Sequence, residues 1–270
     1  MRRTEPSRWL AAALVGACLG APTAFAKSIT INMTSTVTYD NDALGVDLKV
    51  SNSGDEAAQS VVPVVRVGEH QARGTRHDSL EPNGKFEQSF SVPAPGLGEG
   101  QWPYRVAVDY TDANQYPFEA LHAALFVVGS PSPAKIAVTK IDIAPVSTSG
   151  TVGLQVKNLA GVPRHATVTL FLPADLEVTE PVPPLELTPW EQREVRAGFM
   201  NRTALAGSRY PIFVAVEYDD GGVHQAVLAQ EVVEIRAARA WLSGALLWVV
   251  GALVLGWLVL LAVRGVRRPA

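Results

Sequence analysis

The sequence predicts an all-β fold that is followed by one C-terminal membrane helix. Two long blocks without charge lie near the ends of the chain, at residues 9–26 and 241–263. Between them, residues 27–239 repeat themselves once and contain short runs in which apolar and polar residues alternate. This central segment is long enough for two small domains, because a typical domain has about 100–150 residues.

The repeat consists of three pairs of segments in the same order, at a nearly constant spacing of 106–108 residues. The pairs are Gly45–Asn52 with Thr151–Asn158, Leu80–Pro82 with Leu187–Pro189, and Trp102–Asp112 with Tyr210–Asp220. We therefore expect two copies of one domain, at residues 27–128 and 135–236. The proline-containing segment 129–134 would join them as a semi-rigid linker that restricts their relative orientation.

Each copy is predicted to be made of strands, because its apolar residues recur with a period of two. One set should face a core and the other set should face solvent. The expected inward residues include Val46, Leu48, Val50, Tyr104, Val106, Val108, Val168 and Leu170. The expected outward residues include Asp47, Lys49, Arg105, Ala107, Asp109, Thr167, Thr169 and Phe171. The run Val61–Val67 is apolar on both faces, so its register stays open.

Turn residues separate these runs at intervals of roughly ten positions. They include Asp40–Asp42, Asn52–Asp55, Pro82–Gly84, Asp112–Asn114 and Asp219–Gly222. About seven strands in about 105 residues is the pattern of an immunoglobulin-like β-sandwich. The fold class is thus two tandem immunoglobulin-like β-sandwich domains followed by one C-terminal transmembrane helix.

Residues 1–26 are predicted to be a signal peptide. A basic segment with Arg2, Arg3 and Arg8 precedes the apolar run Trp9–Leu19, and Ala24–Ala26 has the small residues of a cleavage site. A second reading, in which the only cysteine, Cys18, is lipidated, stays open. Cleavage after Ala26 would remove Cys18 and exclude disulfides, zinc–thiolate sites and cysteine nucleophiles.

Residues 241–263 are expected to span the lipid bilayer. As a helix, these uncharged residues would be about 34 Å long, which exceeds the ~30 Å hydrocarbon layer. The basic segment 264–270 would then be a cytoplasmic tail, and the domains would be extracytoplasmic, in a bacterial periplasm or at a cell surface. We expect the second domain to lie next to the membrane and the first domain to be held further out.

The charge of the central segment excludes some partners. Residues 27–239 carry 17 Lys and Arg residues against 25 Asp and Glu residues, a net charge of −8. Nucleic acids and anionic lipid surfaces are bound by basic patches, so neither is an expected partner of the folded part. The oligomeric state stays open.

The residues just described resemble a known type of module. The segment Val50–Asp55, the turn Leu80–Pro82 and the late strand Val106–Asp112 are similar to the CARDB and NEW3 type of bacterial and archaeal β-sandwich modules. Copy two departs from this pattern at Asn158–Gly161, which keeps the turn and lacks the acidic residue. The resemblance implies an adhesion, carbohydrate-associated or spacer module, and it implies no catalytic residues.

The sequence offers no set of residues for catalysis, cofactor binding or metal binding. The five histidines, His70, His77, His122, His165 and His224, are too far apart in sequence to form a ligand pair. The acidic and amide residues of the turns fit local capping, although calcium binding by them stays open. The glycine-rich segment Pro95–Gly100 precedes a predicted strand, whereas a phosphate loop precedes a helix. We therefore expect no cofactor and no enzymatic activity.

Two tryptophans, Trp102 and Trp190, lie outside the terminal blocks. Exposed rings could stack on sugars, whereas buried rings would fill cores. The repeat aligns Trp102 with Tyr210, and both precede a proline, which favours a structural role at the start of a strand.

These observations predict a membrane-anchored extracytoplasmic protein that binds or scaffolds an envelope protein or a glycan. One alternative is an assembly chaperone that pairs a client strand with an exposed sheet edge. The other is a hydrolase whose active site is built from loops.

Overall fold

The computed structural model describes residues 28–130, 132–238, 248–257 and 260. Between residues 28 and 238, the described chain forms sixteen β-strands and no helix. The all-β expectation is therefore confirmed for this part of the chain.

The first eight strands form two facing sheets. They are β1 (Ile31–Asp40), β2 (Ala43–Asn52), β3 (Ala58–Val67), β4 (His70–Arg73), β5 (His77–Leu80), β6 (Lys85–Pro93), β7 (Gly100–Thr111) and β8 (Pro117–Val128). One sheet has the order β1-β2-β6, and the other places β3 beside β7, with β4 and β5 paired to β3 and β8 paired to β7. All of these pairs are antiparallel.

The next eight strands repeat this arrangement. They are β9 (Ile136–Ile143), β10 (Ser149–Asn158), β11 (Arg164–Phe171), β12 (Leu176–Glu180), β13 (Leu185–Leu187), β14 (Gln192–Asn201), β15 (Arg209–Asp220) and β16 (Val223–Glu234). One sheet has the order β12-β14-β10-β9, and the other has the order β13-β11-β15-β16.

Two hydrophobic cores lie between the facing sheets. The first draws on residues from Ile29 to Val128 and the second on residues from Ile136 to Ile235. The period-two alternation of β2 puts Leu44, Val46, Leu48 and Val50 in the first core, each at most 1% exposed. Each such side chain stabilises the fold by about 1.5–3 kcal/mol through removal of apolar surface from water.

The register that the sequence left open, at Val61–Val67, is set by an irregularity in β3. Pairing between β3 and β7 shifts between Gln59 and Val62, and Ser60 lies there with a φ of 55°. After this point Val61 and Val65 enter the core, whereas Val62 and Val64 face the opposite side of the sheet. Both faces of this strand are covered, which explains why its sequence is apolar throughout.

The two domains also share a sheet. His224 of β16 pairs with Gly100 of β7 in parallel, and its amide donates a hydrogen bond to the Glu99 carbonyl at 2.9 Å. Gly100 has a φ of 139°, and a Cβ atom there would lie 1.8 Å from the His224 carbonyl oxygen. Only glycine permits this close approach.

In each domain, the shared sheet has one face on the core and one face that points away from it. The faces that point away from the two cores pack against each other. Ala107, Leu121 and Ala123 of the first domain form a cluster with Phe213 of the second, and Phe171 and Leu228 pack against it. Ala107 is 2% exposed and Phe213 is 3% exposed. The expectation that Ala107 and Phe171 face solvent is therefore wrong, because the partner domain covers this second face.

The domains lie side by side and not end to end. The Tyr116 hydroxyl donates to the Thr203 carbonyl, at the opposite end of β7 from Gly100. Thr203 belongs to the loop that also bonds the residue after the last strand, since the Ile235 amide donates to the Ser208 carbonyl at 2.9 Å. The far turn of the first domain thus lies beside the end of the second domain from which the C-terminal segment leaves. The expectation that the first domain is held further from the membrane assumed an end-to-end arrangement.

The terminal predictions fall largely outside the described residues. This applies to the signal peptide, residues 1–26, and to the tail, residues 264–270. Within the predicted span 241–263, the described residues 248–257 and 260 are helical. None of the helices in the described part of the chain is long and apolar enough to cross a membrane.

Candidate functional site

A cleft of about 490 Å³ opens where the two domains meet at the Tyr116 end of their interface. Strands β3, β4, β7 and β8 of the first domain form its floor and one wall, and loops of the second domain at Ala174, Asp175 and Thr203 form the other wall. Clefts between domains are common binding sites because they gather side chains from several loops. This cleft is the candidate site.

Glu119 lies on the floor of the cleft. It pairs with Asp109 across β7 and β8, and the backbone amide of Ala174 donates a 3.2 Å hydrogen bond to its carboxylate. Burial raises the pKa of Glu119 to about 7, and the nearby charge of Asp109 adds to this shift. The Ala174 hydrogen bond and the charges of Arg66 and Arg105 oppose it. Glu119 can therefore gain or lose a proton near neutral pH.

Asp175 anchors the opposite wall. It is 5% exposed and accepts hydrogen bonds from the hydroxyls of Thr203 and Tyr210, the latter at 2.9 Å. Burial raises the pKa of Tyr110 to about 12, with a further contribution from the charge of Asp175. The pKa of Tyr210 is raised by the same two causes, burial first. Both phenols are therefore hydrogen-bond donors and not bases at neutral pH.

Two arginines flank the mouth of the cleft. Arg73 lies 3.8 Å from a carboxylate oxygen of Asp109, and Arg76 donates a 2.8 Å hydrogen bond to the Ser60 hydroxyl. Both side chains are largely exposed. The cleft thus combines guanidinium groups at its rim with carboxylates on its floor, a lining that suits a polar ligand of mixed charge.

The opposite end of the interface contains a stacked pair. The ring of His224 stacks on Trp102 at a centroid distance of 3.6 Å and an angle of 12°. The His224 nitrogens lie 3.3 Å from Glu217 and 3.4 Å from Asp219. The Trp102 Nε1–H donates to the Gly98 carbonyl at 2.9 Å, and the half-buried side chain packs against the first core.

The histidines of the sequence do not come together. His77 stacks on Phe86, His122 contacts Phe213 edge-on, and His165 lies 3.7 Å from Glu186. In residues 28–130, 132–238, 248–257 and 260, no three His, Cys, Asp or Glu residues are grouped so that they could hold a metal ion.

The acidic turn residues have local partners. Asp112 accepts hydrogen bonds from the backbone amides of Asn114 and Tyr116, both at 2.9 Å. Asp220 pairs with Arg164 and Lys135, at 2.7 and 3.2 Å. The segment Pro95–Gly100 leads into β7 and not into a helix, so it lacks the element that a phosphate loop requires.

Trp190 is placed differently from Trp102. It lies in the turn between β13 and β14, it is 63% exposed, and its φ is 62°. Its backbone amide donates to the Ala160 carbonyl at 3.2 Å. The structural role that the repeat favours for Trp102 does not extend to this exposed ring.

Sequence reasoning missed the cleft and its acidic residues. Glu119, Asp109 and Asp175 are far apart in sequence, and the wall at Asp175 belongs to the other domain. One signal was available, since the outward positions Leu121 and Ala123 of β8 are apolar. Apolar side chains that point away from the core predict that another part of the protein covers this second face of the sheet. A cleft can then form where the covered area ends.

No family model and no curated protein matches this sequence. The chain is similar to native Escherichia coli alpha-2-macroglobulin, with 12% identity over 78% of this chain and 17% of that chain, at a TM-score of 0.31. It is similar to red sea bream transglutaminase, with 12% identity over 78% of this chain and 31% of that chain, at a TM-score of 0.28. It is also similar to a Porphyromonas gingivalis W83 protein of unknown function, with 11% identity over 76% of this chain and 99% of that chain, at a TM-score of 0.31.

The chain spans only 17% of the length of the macroglobulin. With TM-scores below 0.5, these likenesses say nothing about the activity or the partners of this chain. The resemblance to CARDB and NEW3 modules stays a prediction.

Proposed function

We propose that this protein is a membrane-anchored, extracytoplasmic binding or scaffolding arm that presents two immunoglobulin-like domains to an envelope protein or a glycan. In this proposal the exported part begins after residue 26, the segment 241–263 holds it in the lipid bilayer, and residues 264–270 are cytoplasmic. The resemblance to CARDB and NEW3 modules supports a binding or spacer role.

The observation that carries the proposal is the buried contact between the domains. Ala107, Leu121 and Ala123 pack against Phe213, and Gly100 pairs with His224 in the shared sheet. Such a contact fixes the relative orientation of the two domains, so that loops of both form one surface. A surface that is already ordered loses less conformational entropy on binding, which favours a role in recognition.

The cleft is the expected contact region for a polar group of the partner. Its lining comes from both domains, so its shape depends on the contact described above. Substitution of Phe213 by aspartate would bury a charge in the apolar cluster and separate the domains. The cleft would then be lost without any change to its own residues.

The proposal is tested with the full-length protein in the cells that produce it. Wild-type protein should stay in the membrane pellet after alkaline extraction, and protein that lacks residues 241–263 should be released. Protease added from outside should digest the domains. Recovery of the full-length protein in the soluble fraction, or protection of the domains, would contradict the anchored arrangement.

Crosslinking in the same cells tests the binding role. Wild-type protein should form a discrete adduct with a fixed envelope protein or glycan, and the Phe213→Asp variant should lose it. Met200→Ala is the matched control, because Met200 is exposed and lies on β14, in the sheet that the first domain does not share. A hydrolase activity of the purified protein that Glu119→Gln abolishes would instead establish an enzyme.

A second candidate function, strand pairing with a client protein, is favoured by β1. This strand lies at the edge of its sheet and pairs only with β2 among the described strands. Its ten residues contain no proline and no lysine, and its pairing shows no bulge. Natural edge strands usually carry a proline, a lysine or a bulge that blocks unwanted pairing. Because β1 has none of these, it is open to an added strand.

The two candidates predict different variants. Thr34→Lys together with Thr36→Lys would charge the edge of β1 and should block transfer of a client strand. The same pair should leave the adduct of a fixed partner at the domain interface unchanged. If the double lysine variant lost the adduct and the Phe213→Asp variant retained it, the result would favour an assembly chaperone over a binding or scaffolding arm.

A further inference from the structure

The turn between β13 and β14 holds a tryptophan in a conformation that bulky residues rarely adopt. Trp190 has a φ of 62°, in the left-handed region. Asn, Asp and Gly tolerate this region, whereas a bulky side chain there is strained. Strain of this kind persists where the surrounding structure enforces it, and it is often found at functional positions.

The first domain has the equivalent turn with a smaller residue at the position of Trp190. The repeat aligns Leu80–Pro82 with Leu187–Pro189, so Asn83 occupies the position of Trp190. Asn83 also has a φ of 62°. The two turns therefore share one backbone conformation, and the second domain has a tryptophan where an unstrained residue is compatible with the fold.

Hydrogen bonds within the turn enforce this conformation. The Glu191 carboxylate accepts from the Thr188 amide at 2.7 Å and from the Thr188 hydroxyl at 2.8 Å. It also lies 2.6 Å from Arg193. These hydrogen bonds and this cation lower the pKa of Glu191, the Thr188 amide contributing most. The carboxylate is thus ionised and fully engaged inside the turn.

The indole ring of Trp190 is supported on one side. A Cβ atom built on Gly161 would lie 3.7 Å from the ring, which places the Gly161 backbone next to the indole. The ring is nevertheless 63% exposed, so most of it faces solvent. Leu159 and Val162 flank Gly161 in the same loop and are 41% and 51% exposed. Trp190, Leu159 and Val162 together are called the Trp190 patch.

The polar groups near the Trp190 patch favour a protein over a sugar. A sugar would need several free donors and acceptors around the ring, but the Glu191 carboxylate is engaged with Thr188 and Arg193, and the Gln192 amide nitrogen donates to Gln155 at 2.9 Å. An apolar side chain needs only the ring and the two aliphatic neighbours. Tryptophan is also enriched among the residues that dominate the energy of protein–protein contacts.

The charge beside the Trp190 patch defines the partner further. Lys157 pairs in register with Gln192, two positions after Trp190, and has no ion pair among the described residues. Arg193, whose strand partner is Val156, is neutralised by Glu191. The free charge at the rim is therefore positive, and it is complementary to an acidic residue of a partner.

We propose that the Trp190 patch is the contact site for a partner protein that places an aliphatic or prolyl side chain on the indole, with an acidic residue beside it facing Lys157. The inference rests on the proposed binding role and deepens it by adding a second contact, at the opposite end of the second domain from the cleft. Its failure would leave the tests of the membrane anchor and of the Phe213 contact unaffected.

The test places photoreactive benzoylphenylalanine at Val162 in the full-length protein, in the cells that produce it. Irradiation should give one discrete protein adduct, and the crosslinked peptide should contain an aliphatic or prolyl residue next to Asp or Glu. Trp190→Asn should reduce the adduct at least tenfold. Lys157→Gln should reduce it about threefold, with a weaker dependence on salt than the wild type. Met200→Ala should leave it unchanged.

The thermal stability of the same variants separates a binding role from a structural one. Trp190→Asn copies the residue of the first domain, so its Tm should rise by about 4 °C or more as the strain is relieved. A lower Tm would make Trp190 a structural residue and overturn the proposal. An adduct that persists in Trp190→Asn, an adduct with a glycan or lipid, a crosslinked peptide that is basic, or no adduct at all would also overturn it.

Discussion

The two copies of the domain share a buried asparagine at the end of their second strand. The Asn158 amide donates to the carbonyls of Val162 at 2.8 Å and Thr188 at 2.9 Å, and its oxygen accepts from the Ala160 amide at 2.9 Å. Asn52 bonds its own domain in the same way, through the carbonyls of Glu56 and Leu80. This side chain ties together three segments, which explains why it recurs in both copies.

Asn158→Ala should therefore destabilise the second domain by about 2–4 kcal/mol, because it leaves several buried backbone groups without partners. The shift of the thermal unfolding midpoint of the purified protein measures this loss. Asn114→Ala, in an exposed turn, should change stability by less than about 0.5 kcal/mol. Equal effects of the two substitutions would contradict the role of the buried amide.

Gln225 is a buried amide whose replacement should raise the stability of the protein, in contrast to Asn158. It is fully buried in β16, and neither of its side-chain polar atoms has a hydrogen-bond partner among the described residues. Burial of an unpaired amide costs free energy that a leucine of similar size avoids. Gln225→Leu should raise stability by about 1–2 kcal/mol in the same assay. A loss of stability would mean that Gln225 has a polar partner after all.

Glu119 should make stability depend on pH. Burial raises the pKa of this carboxyl to about 7, from an ordinary value of 4.5. Between these pH values the folded protein retains a proton that the unfolded chain has released, so stability falls as the pH rises through this window. The total loss is about 1–3 kcal/mol. It is complete above about pH 7 and absent below about pH 4.5.

Glu119→Gln removes the titrating group and should abolish this part of the pH dependence. The variant should therefore gain stability over the wild type at pH 8 and show a smaller difference at pH 5. Asn114→Ala, which replaces an exposed residue that does not titrate, should leave the pH dependence unchanged. A Glu119→Gln variant that gains as much at pH 5 as at pH 8 would contradict the assigned cause.

At the scale of elements, the joint between β7 and β16 rests on one glycine. A Cβ atom at Gly100 would lie 1.8 Å from the His224 carbonyl, whereas a Cβ atom at Gly98 would have no neighbour within 4 Å. Gly100→Ala should therefore separate the two strands, and Gly98→Ala should not. Trypsin cleavage after Lys135 reports the opening, because the stacked Trp102–His224 pair and the linker lie together there.

We expect Gly100→Ala to increase the rate of this cleavage about tenfold, as local opening becomes more populated. The product should be two fragments, one for each domain. Gly98→Ala should match the wild type. A Gly100→Ala variant that resists trypsin as well as Gly98→Ala does would show that the joint tolerates a methyl group.

The strands themselves could be predicted from the sequence, because their alternation is local. Val46, Leu48 and Val50 face the core as the pattern indicates. Whether the residues that point away from the core are exposed or buried could not be predicted in the same way. Ala107 is buried by Phe213 of the other domain, and no local pattern carries that information. The residue type of Trp190 gives no sign of its left-handed φ, and only the alignment with Asn83 of the first copy places it in such a turn.

At the scale of the whole molecule, the repeat predicts two similar halves but not how they pack. The linker's composition favours an extended spacer, whereas the two domains lie side by side. The physical reason is the apolar outer face that each copy carries. Burial of Phe213, Leu121 and their neighbours stabilises the side-by-side form. The cleft exists only because of this packing.

The side-by-side arrangement predicts one short distance that an extended arrangement would make long. The turn at Asn114 in the first domain and the loop at Leu205 in the second lie at the same end of the molecule, as the bond from Tyr116 to Thr203 requires. Each domain is about 40 Å long, from twelve-residue strands at ~3.3 Å per residue. Spin labels at positions 114 and 205 should therefore be about 20 Å apart, against about 80 Å in an end-to-end arrangement.

A second pair of labels serves as the internal reference. Positions 114 and 162 should be about 40 Å apart in either arrangement, because Val162 lies at the linker end of the second domain. Phe213→Asp should lengthen and broaden the 114–205 distance and leave each domain folded. Pulsed electron paramagnetic resonance of the purified protein measures all of these distances. A long 114–205 distance in the wild type would show that the domains do not pack together, and the shared cleft would then not form.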